Sequence, residues 1–221
     1  MSYSANYHFI INPYEISDDD KGIIDEGVKL QLAWEDKHYK PFRDRIRKYL
    51  RVQQNKRCGF CRLRINKSQF YPHLEHLVSK TKYKQFTFTS NNLVYSCQKC
   101  NFGKGVINVL SVPHSDPESQ TYPMTSDGFT IVNPYYDNIL DHIEFIGEVI
   151  AKPINSSLKG INTIQFYKLD RLDLTEDRAF EADLSQADIE EKLMQRILIE
   201  NDQALITEIQ DFINSLPDLE I

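Results

Sequence analysis

The chain has 221 residues, 41% of them hydrophobic and 26% charged, with a formal net charge of -6. That composition supports a proper buried core, and no apolar run is long enough to span a bilayer. The N-terminus, Met1-Ser2-Tyr3-Ser4-Ala5-Asn6, lacks a basic region followed by an apolar one, so a soluble, unexported, cytoplasmic protein is expected.

In chain order, residues 7–16 read as a short extended or turn segment broken by Pro13. Ser17 and the acids Asp18, Asp19 and Asp20 offer an N-cap and a first turn for a helix over roughly 20–34, weakened by Gly22 and Gly27. Pro41 opens a stronger helix over about 42–55. Phe42, Ile46, Tyr49, Leu50 and Gln53 form one face of it, and Arg43, Arg45, Arg47, Lys48 and Arg51 line much of the rest. Cys58-Gly59-Phe60-Cys61 follows as a compact knuckle. A basic connection over 62–70 leads to a strand over 72–78, and residues 80–86 form a basic loop interleaved with aromatics, among which Tyr83 and Phe86 are candidates for base stacking. Asn91 or Asn92 opens the next element, Leu93-Val94-Tyr95 is apolar, and Cys97-Gln98-Lys99-Cys100 leads into a short helix carrying Asn101 and Lys104. Residues 106–138 predict an irregular connection with a short strand over 129–132. A hairpin about Gly147 follows, then a helix over 156–169 and another from Thr175 to about 182. A third begins after Ser185, and a last covers about 202–215; the C-terminal helices are amphipathic and acidic outside.

The charge is unevenly spread. Residues 1–35 carry 2 basic and 7 acidic side chains, residues 36–104 carry 17 and 3, and residues 105–221 carry 7 and 22. The middle segment is therefore strongly cationic within an otherwise acidic chain, and local field governs contact with phosphate.

All four cysteines lie in that segment, as two Cys-x-x-Cys pairs separated by 35 residues. In a reducing compartment, Cys58, Cys61, Cys97 and Cys100 are better explained by a closed tetrahedral zinc site, structural rather than catalytic, than by disulfides. Four reduced core cysteines without metal are the bland alternative. Between the knuckles stand residues suited to phosphodiester hydrolysis, which needs a cation to neutralise charge and a base to activate water. Glu75 can hold the cation, and His76, with a near-neutral pKa, can serve as base. The Asn92 carbonyl can hold the imidazole in the required tautomer, and Asn101 can give the cation a second oxygen. Two oxygen ligands with retained waters suit Mg or Mn better than zinc. His73, two places before Glu75, could be an extra ligand, but it reads more readily as a structural or substrate-contacting residue.

The stretch from Leu74-Glu75-His76-Leu77-Val78-Ser79-Lys80 to Asn91-Asn92-Leu93-Val94-Tyr95-Ser96-Cys97-Gln98-Lys99-Cys100-Asn101-Phe102-Gly103-Lys104-Gly105 resembles the HNH, or ββα-metal, endonuclease family in its four-cysteine form. The resemblance implies an α+β fold with a zinc-stapled core among N- and C-terminal helices. Its match by residue implies Glu75 and Asn101 as ligands of a catalytic divalent cation, His76 as general base, Asn92 as the residue that orients the base, and Lys104 as a phosphate contact. Where the colicin-like branch has a further His, this chain has Gly105, which favours magnesium-type catalysis and leaves the third ligand open. A weaker similarity, at Asn133-Pro134, His142-Ile143-Glu144-Phe145, residues 159–164 and Leu169-Asp170-Arg171-Leu172, points to the HNH subunits of Septu-type and retron-linked antiphage systems, which work beside an ATPase partner.

The expected organisation is an N-terminal helical segment over 1–57, a nuclease core over 58–105, and a connection, hairpin and acidic helices over 106–221 packed with the core. Nucleic acid is the expected partner, with DNA first and RNA sharing the same phosphodiester. Arg43, Arg47, Arg51, Lys80, Lys82, Lys84 and Lys104 are the expected contacts. The competing classes are a zinc-dependent nucleic-acid-binding module without catalysis and a subunit that acts only in a complex.

Overall fold

The computed structural model describes residues 10–65, 72–146 and 150–181, with scattered positions between 191 and 211. Its architecture is mixed α/β, with two small antiparallel sheets of two strands each set among helices. The helix α1 spans Asp18–Lys29, ending before the residue 34 expected, with Leu30 as its C-cap. Its start follows the sequence signal: Ser17 and Asp20 form a reciprocal capping box, and three acids stand at the positive end of the dipole. Asp20 also receives Arg45 and Tyr14, so one buried carboxyl joins α1 to the helix α2, Lys40–Gln53. Burial works against ionisation of Asp20, but the hydrogen bonds from Arg45, Tyr14 and Ser17 outweigh it and hold the group below its ordinary value. Phe42, Ile46 and Leu50 of α2 are fully buried.

The strands β1 (Pro72–His76) and β2 (Leu93–Cys97) pair antiparallel, with Glu75 opposite Val94 and His76 opposite Leu93. The strand expected over 72–78 stops at His76, because Leu77 and Val78 leave the ladder and bond to the backbone and side chain of Asn92. The helix α3, Gln98–Lys104, follows β2 directly and ends at Gly105, whose φ of +53° is a conformation glycine adopts at little cost.

The hairpin of β3 (Ile143–Ile146) and β4 (Ile150–Pro153) carries the helix α4, Leu158–Tyr167, and α5 follows over Leu172–Glu181. The strand expected over 129–132 reduces to a single bridge between Leu110 and Phe129. The connection is held instead by the Asp137 carboxylate, which accepts from Asn133 N–H and from Lys159 at 2.8 Å each and also from the Ser126 hydroxyl. The helices expected after Ser185 and over 202–215, the connection over 66–71 and the Gly147 turn lie wholly or mostly outside the described residues. One continuous buried cluster runs from Ile11 through the cysteines to Leu174, so all three expected segments contribute to the same core. Among the described residues no helix is long and apolar enough to cross a membrane.

Candidate metal centre and active-site cleft

The two knuckles converge on a cage. Ligand atoms of Cys58, Cys61, Cys97 and Cys100 all lie within 4.8 Å of one another, and each residue is at most 1% exposed. The first knuckle is closed by Cys58 N–H to Leu63 O at 2.9 Å and Ile65 N–H to Lys56 O at 2.9 Å. Gly59 is needed there, because a Cβ would stand 2.3 Å from Val94 Cγ1. Phe60 stacks on Tyr167 of α4, with ring centroids 3.6 Å apart, and Glu181 of α5 meets Arg57 at 2.7 Å and accepts from Arg64 N–H at 2.9 Å.

Burial raises the cost of ionising Cys58, Cys61 and Cys100. At Cys58 the hydrogen bonds from Cys100, Cys61 and Cys97 overcome it and hold the group well below its ordinary value, while burial pushes Cys61 up and donation to Cys58 pushes Cys100 up. Four convergent thiolates require a divalent soft cation, and the donor set fits a structural metal such as zinc.

Beside the cage, β1, the C-terminal half of α3, α2 and the turn before it border a cleft of about 650 Å³ lined by His73, Glu75, His76 and Asn101, with Trp34, Arg43, Arg47 and Lys80. Glu75 and His76 are both buried. Burial pushes the Glu75 carboxyl up to about 7, against the pull of Lys104 and Lys80. Burial likewise drops the His76 imidazole to about 3, the hydrogen bond to Thr87 opposing and Lys80 and Lys104 adding to the effect. His76 is thus neutral at neutral pH, and its proton affinity falls well below the near-neutral value expected from the sequence, because the ring is buried. Its Nε2 lies 3.0 Å from the Thr87 carbonyl, which can only accept, so the proton sits on Nε2 and the lone pair on Nδ1. Trp34 packs edge-on against the same ring, with centroids 4.7 Å apart at 79°.

The expected contact between Asn92 and His76 is replaced by a different one. Asn92 is fully buried and accepts from Val78 N–H at 2.7 Å while donating to Val78 O at 3.0 Å and Phe86 O at 2.9 Å. It ties the loop over 77–87 across its base, and the backbone of that loop, through Thr87, holds the imidazole. Asn101 donates its amide to His73 Nδ1 at 3.0 Å.

Glu75 Oε1 lies 2.7 Å from Lys104 Nζ, yet the approach lacks directed hydrogen-bond geometry. A buried carboxylate oxygen with bonding capacity and an amide side chain lining the same cleft are donors suited to a hard cation that keeps several waters. Among the described residues, no three His, Cys, Asp or Glu side chains gather there as the cysteines do.

The expected nucleic-acid contacts divide. Arg47 and Lys80 line the cleft, and Arg51 lines an adjoining groove with Arg47 and Lys48. Lys82 and Lys84 are exposed on the loop but line neither, and Lys82 lies over the Tyr83 ring at 5.4 Å. Lys104 is corrected: it is 1% exposed, and besides Glu75 its ammonium donates to His76 O at 3.0 Å. Arg43 is also largely committed, donating to the carbonyls of Trp34 and of Asp36 at 2.8 Å. Tyr83 and Phe86 are buried and stacked on one another, 5.8 Å between centroids, rather than presented for bases. Sequence reasoning missed Trp34 and Thr87. Trp34 resembles any core aromatic in sequence, and Thr87 acts through its backbone carbonyl, which has no residue signature.

No family model matches the chain. It is similar to the Septu protein PtuB of Bacillus mycoides (strain KBAB4), 27% identical over 147 residues, covering 61% of this chain and 50% of that protein. It is also similar to the Septu protein PtuB of Bacillus thuringiensis, 26% identical over 128 residues, covering 58% of this chain and 42% of that protein. The chain spans about half the length of the curated relatives it matches.

Proposed function

We propose that this chain is a metal-dependent HNH endonuclease that hydrolyses phosphodiester bonds, DNA first, and that it serves as the effector of an antiphage system of the Septu type beside an ATPase partner. The observation that carries this reading is His76, a neutral imidazole with its proton fixed on Nε2 by Thr87 and its ring on the same cleft as Glu75, Asn101 and three cationic side chains. Similarity to two proteins named Septu PtuB supports the defence setting.

In this reading Nδ1 of His76 takes the proton from the attacking water, and the Thr87 carbonyl steadies the ring as it gains charge. Trp34 fixes the ring from the side, and Arg47 and Lys80 hold the phosphate. Glu75 and Asn101 would hold Mg or Mn, which supplies charge neutralisation at the phosphate when bound. Lys104 braces Glu75 from within the protein. The four cysteines, holding zinc, keep β2 and α3 in place beside β1.

The test is nicking of supercoiled plasmid by the full chain across a titration of Mg and Mn. Replacing His76 with Ala should lower the rate by roughly 10²- to 10⁴-fold, with circular dichroism and zinc content unchanged. Metal-dependent nicking that persists in an intact His76→Ala protein would sink the mechanism. A second reading, a zinc-dependent nucleic-acid-binding subunit without catalysis, draws on the Glu75–Lys104 ion pair, which already neutralises the carboxylate. It requires binding without nicking in parent and variant alike.

A further inference from the structure

The cleft is lined by two chemically different kinds of side chain. Arg47 and Lys80, paired with Asp44 at 2.7 Å and Glu35 at 3.1 Å, bring cationic groups to it, whereas Phe102 and Val106, which line the same cleft, are 65% and 73% exposed. Leaving a phenylalanine ring largely in water is unfavourable unless something apolar covers it in use. Phe102 is also held in place. It follows Asn101 on α3, and α3 is pinned against the end of α4, where a Cβ on Gly103 would stand 3.2 Å from Tyr167 O. His73 braces the ring in a perpendicular contact, with centroids 5.7 Å apart at 82°. Phe180, on α5, is 77% exposed but does not line this cleft.

We propose that Phe102 is a stacking platform for an unpaired nucleobase next to the scissile phosphate, so that the cleft takes single-stranded or locally opened nucleic acid in preference to an intact duplex. The inference rests on the phosphodiester-cleaving reading above. A charged backbone carrying flat apolar rings is the ligand chemistry that matches cations and an exposed aromatic lining one cleft. In a duplex the faces of the bases are already stacked on one another, so an aromatic side chain can reach one only where the strand is open. The cleft volume of about 650 Å³ lies in the range of pockets that enclose a small ligand.

The experiment uses the full chain with His76→Ala, so that nothing is cut, and measures binding of a DNA oligonucleotide containing 2-aminopurine, single-stranded and as a blunt duplex. The single strand should bind more tightly and its fluorescence should fall on binding. Adding Phe102→Ala should weaken single-strand binding by about 5- to 150-fold and abolish the fluorescence change, with duplex binding little altered. Phe102→Trp should retain both. Phe102→Leu, which keeps an apolar side chain, should lose the fluorescence change and guards against a folding defect in the alanine variant. Equal single-strand affinity with and without the ring overturns the proposal, as does an effect of Phe102→Ala on association with a protein alone. If neither oligonucleotide binds any variant, the endonuclease reading fails and takes this one with it; binding that ignores Phe102 removes this one alone.

Discussion

Glu75 and His76 are neighbours on one strand end, yet burial drives their proton affinities in opposite directions, to about 7 and about 3. A carboxyl whose folded pKa exceeds its ordinary 4.5 gives stability that is fully present below 4.5 and is lost as pH rises through about 7. An imidazole held below 6.5 gives stability that is present above 6.5 and is lost as pH falls through about 3. Between 4.5 and 6.5 the two slopes oppose each other, so the metal-free protein should show little pH dependence from this pair. Glu75→Gln removes one slope. Its stability should then fall as pH drops from 6.5 to 4.5, more steeply than in the parent; urea unfolding at several pH values measures this, and matching slopes would refute it. The adjacency of the two residues was legible in the sequence, as was their chemistry. What held them was not, because the Thr87 carbonyl is anonymous. Charge was legible too, but burial was not: Lys104 looks like a phosphate contact until its ammonium is found enclosed between Glu75 and the His76 carbonyl.

Among the elements, α4 sets how closely the later half of the chain approaches the cleft. Gly160 lies against the β3–β4 hairpin, where a Cβ would stand 2.2 Å from His142 O, a backbone atom that cannot rotate away. Gly160→Ala should therefore destabilise the fold by about 1–3 kcal/mol, despite alanine's better helix propensity, and thermal unfolding measures it; a more stable variant would contradict the packing. Helix starts were well marked in the sequence, by Ser17 and the acids after it and by Pro41, since capping is a local interaction. The segment between α3 and β3 was barely legible. It is assembled from short turns whose bonds run to side chains distant in sequence, such as Lys159 to Asp137 and Val132 N–H to Thr163 Oγ1. No periodic pattern announces contacts of that kind.

For the whole molecule, the cysteine cage is where distant parts meet. The sequence announced the cage through spacing alone, while the way the chain closes around it depended on Phe60, Tyr167 and Glu181, which no motif marks. Cys58→Ser should release the metal and lower the melting temperature, because coordination is itself folding energy; unchanged zinc content would remove the structural-metal reading. The ion pair of Arg57 with Glu181, and those of Lys99 with Asp173 at 2.8 Å and Asp177 at 3.0 Å, tie α5 to both knuckles. This anchorage makes α5 a lever on the cage: Arg57 and Lys99 each stand next to a cysteine, so a displacement of either knuckle also moves an anchor of the helix.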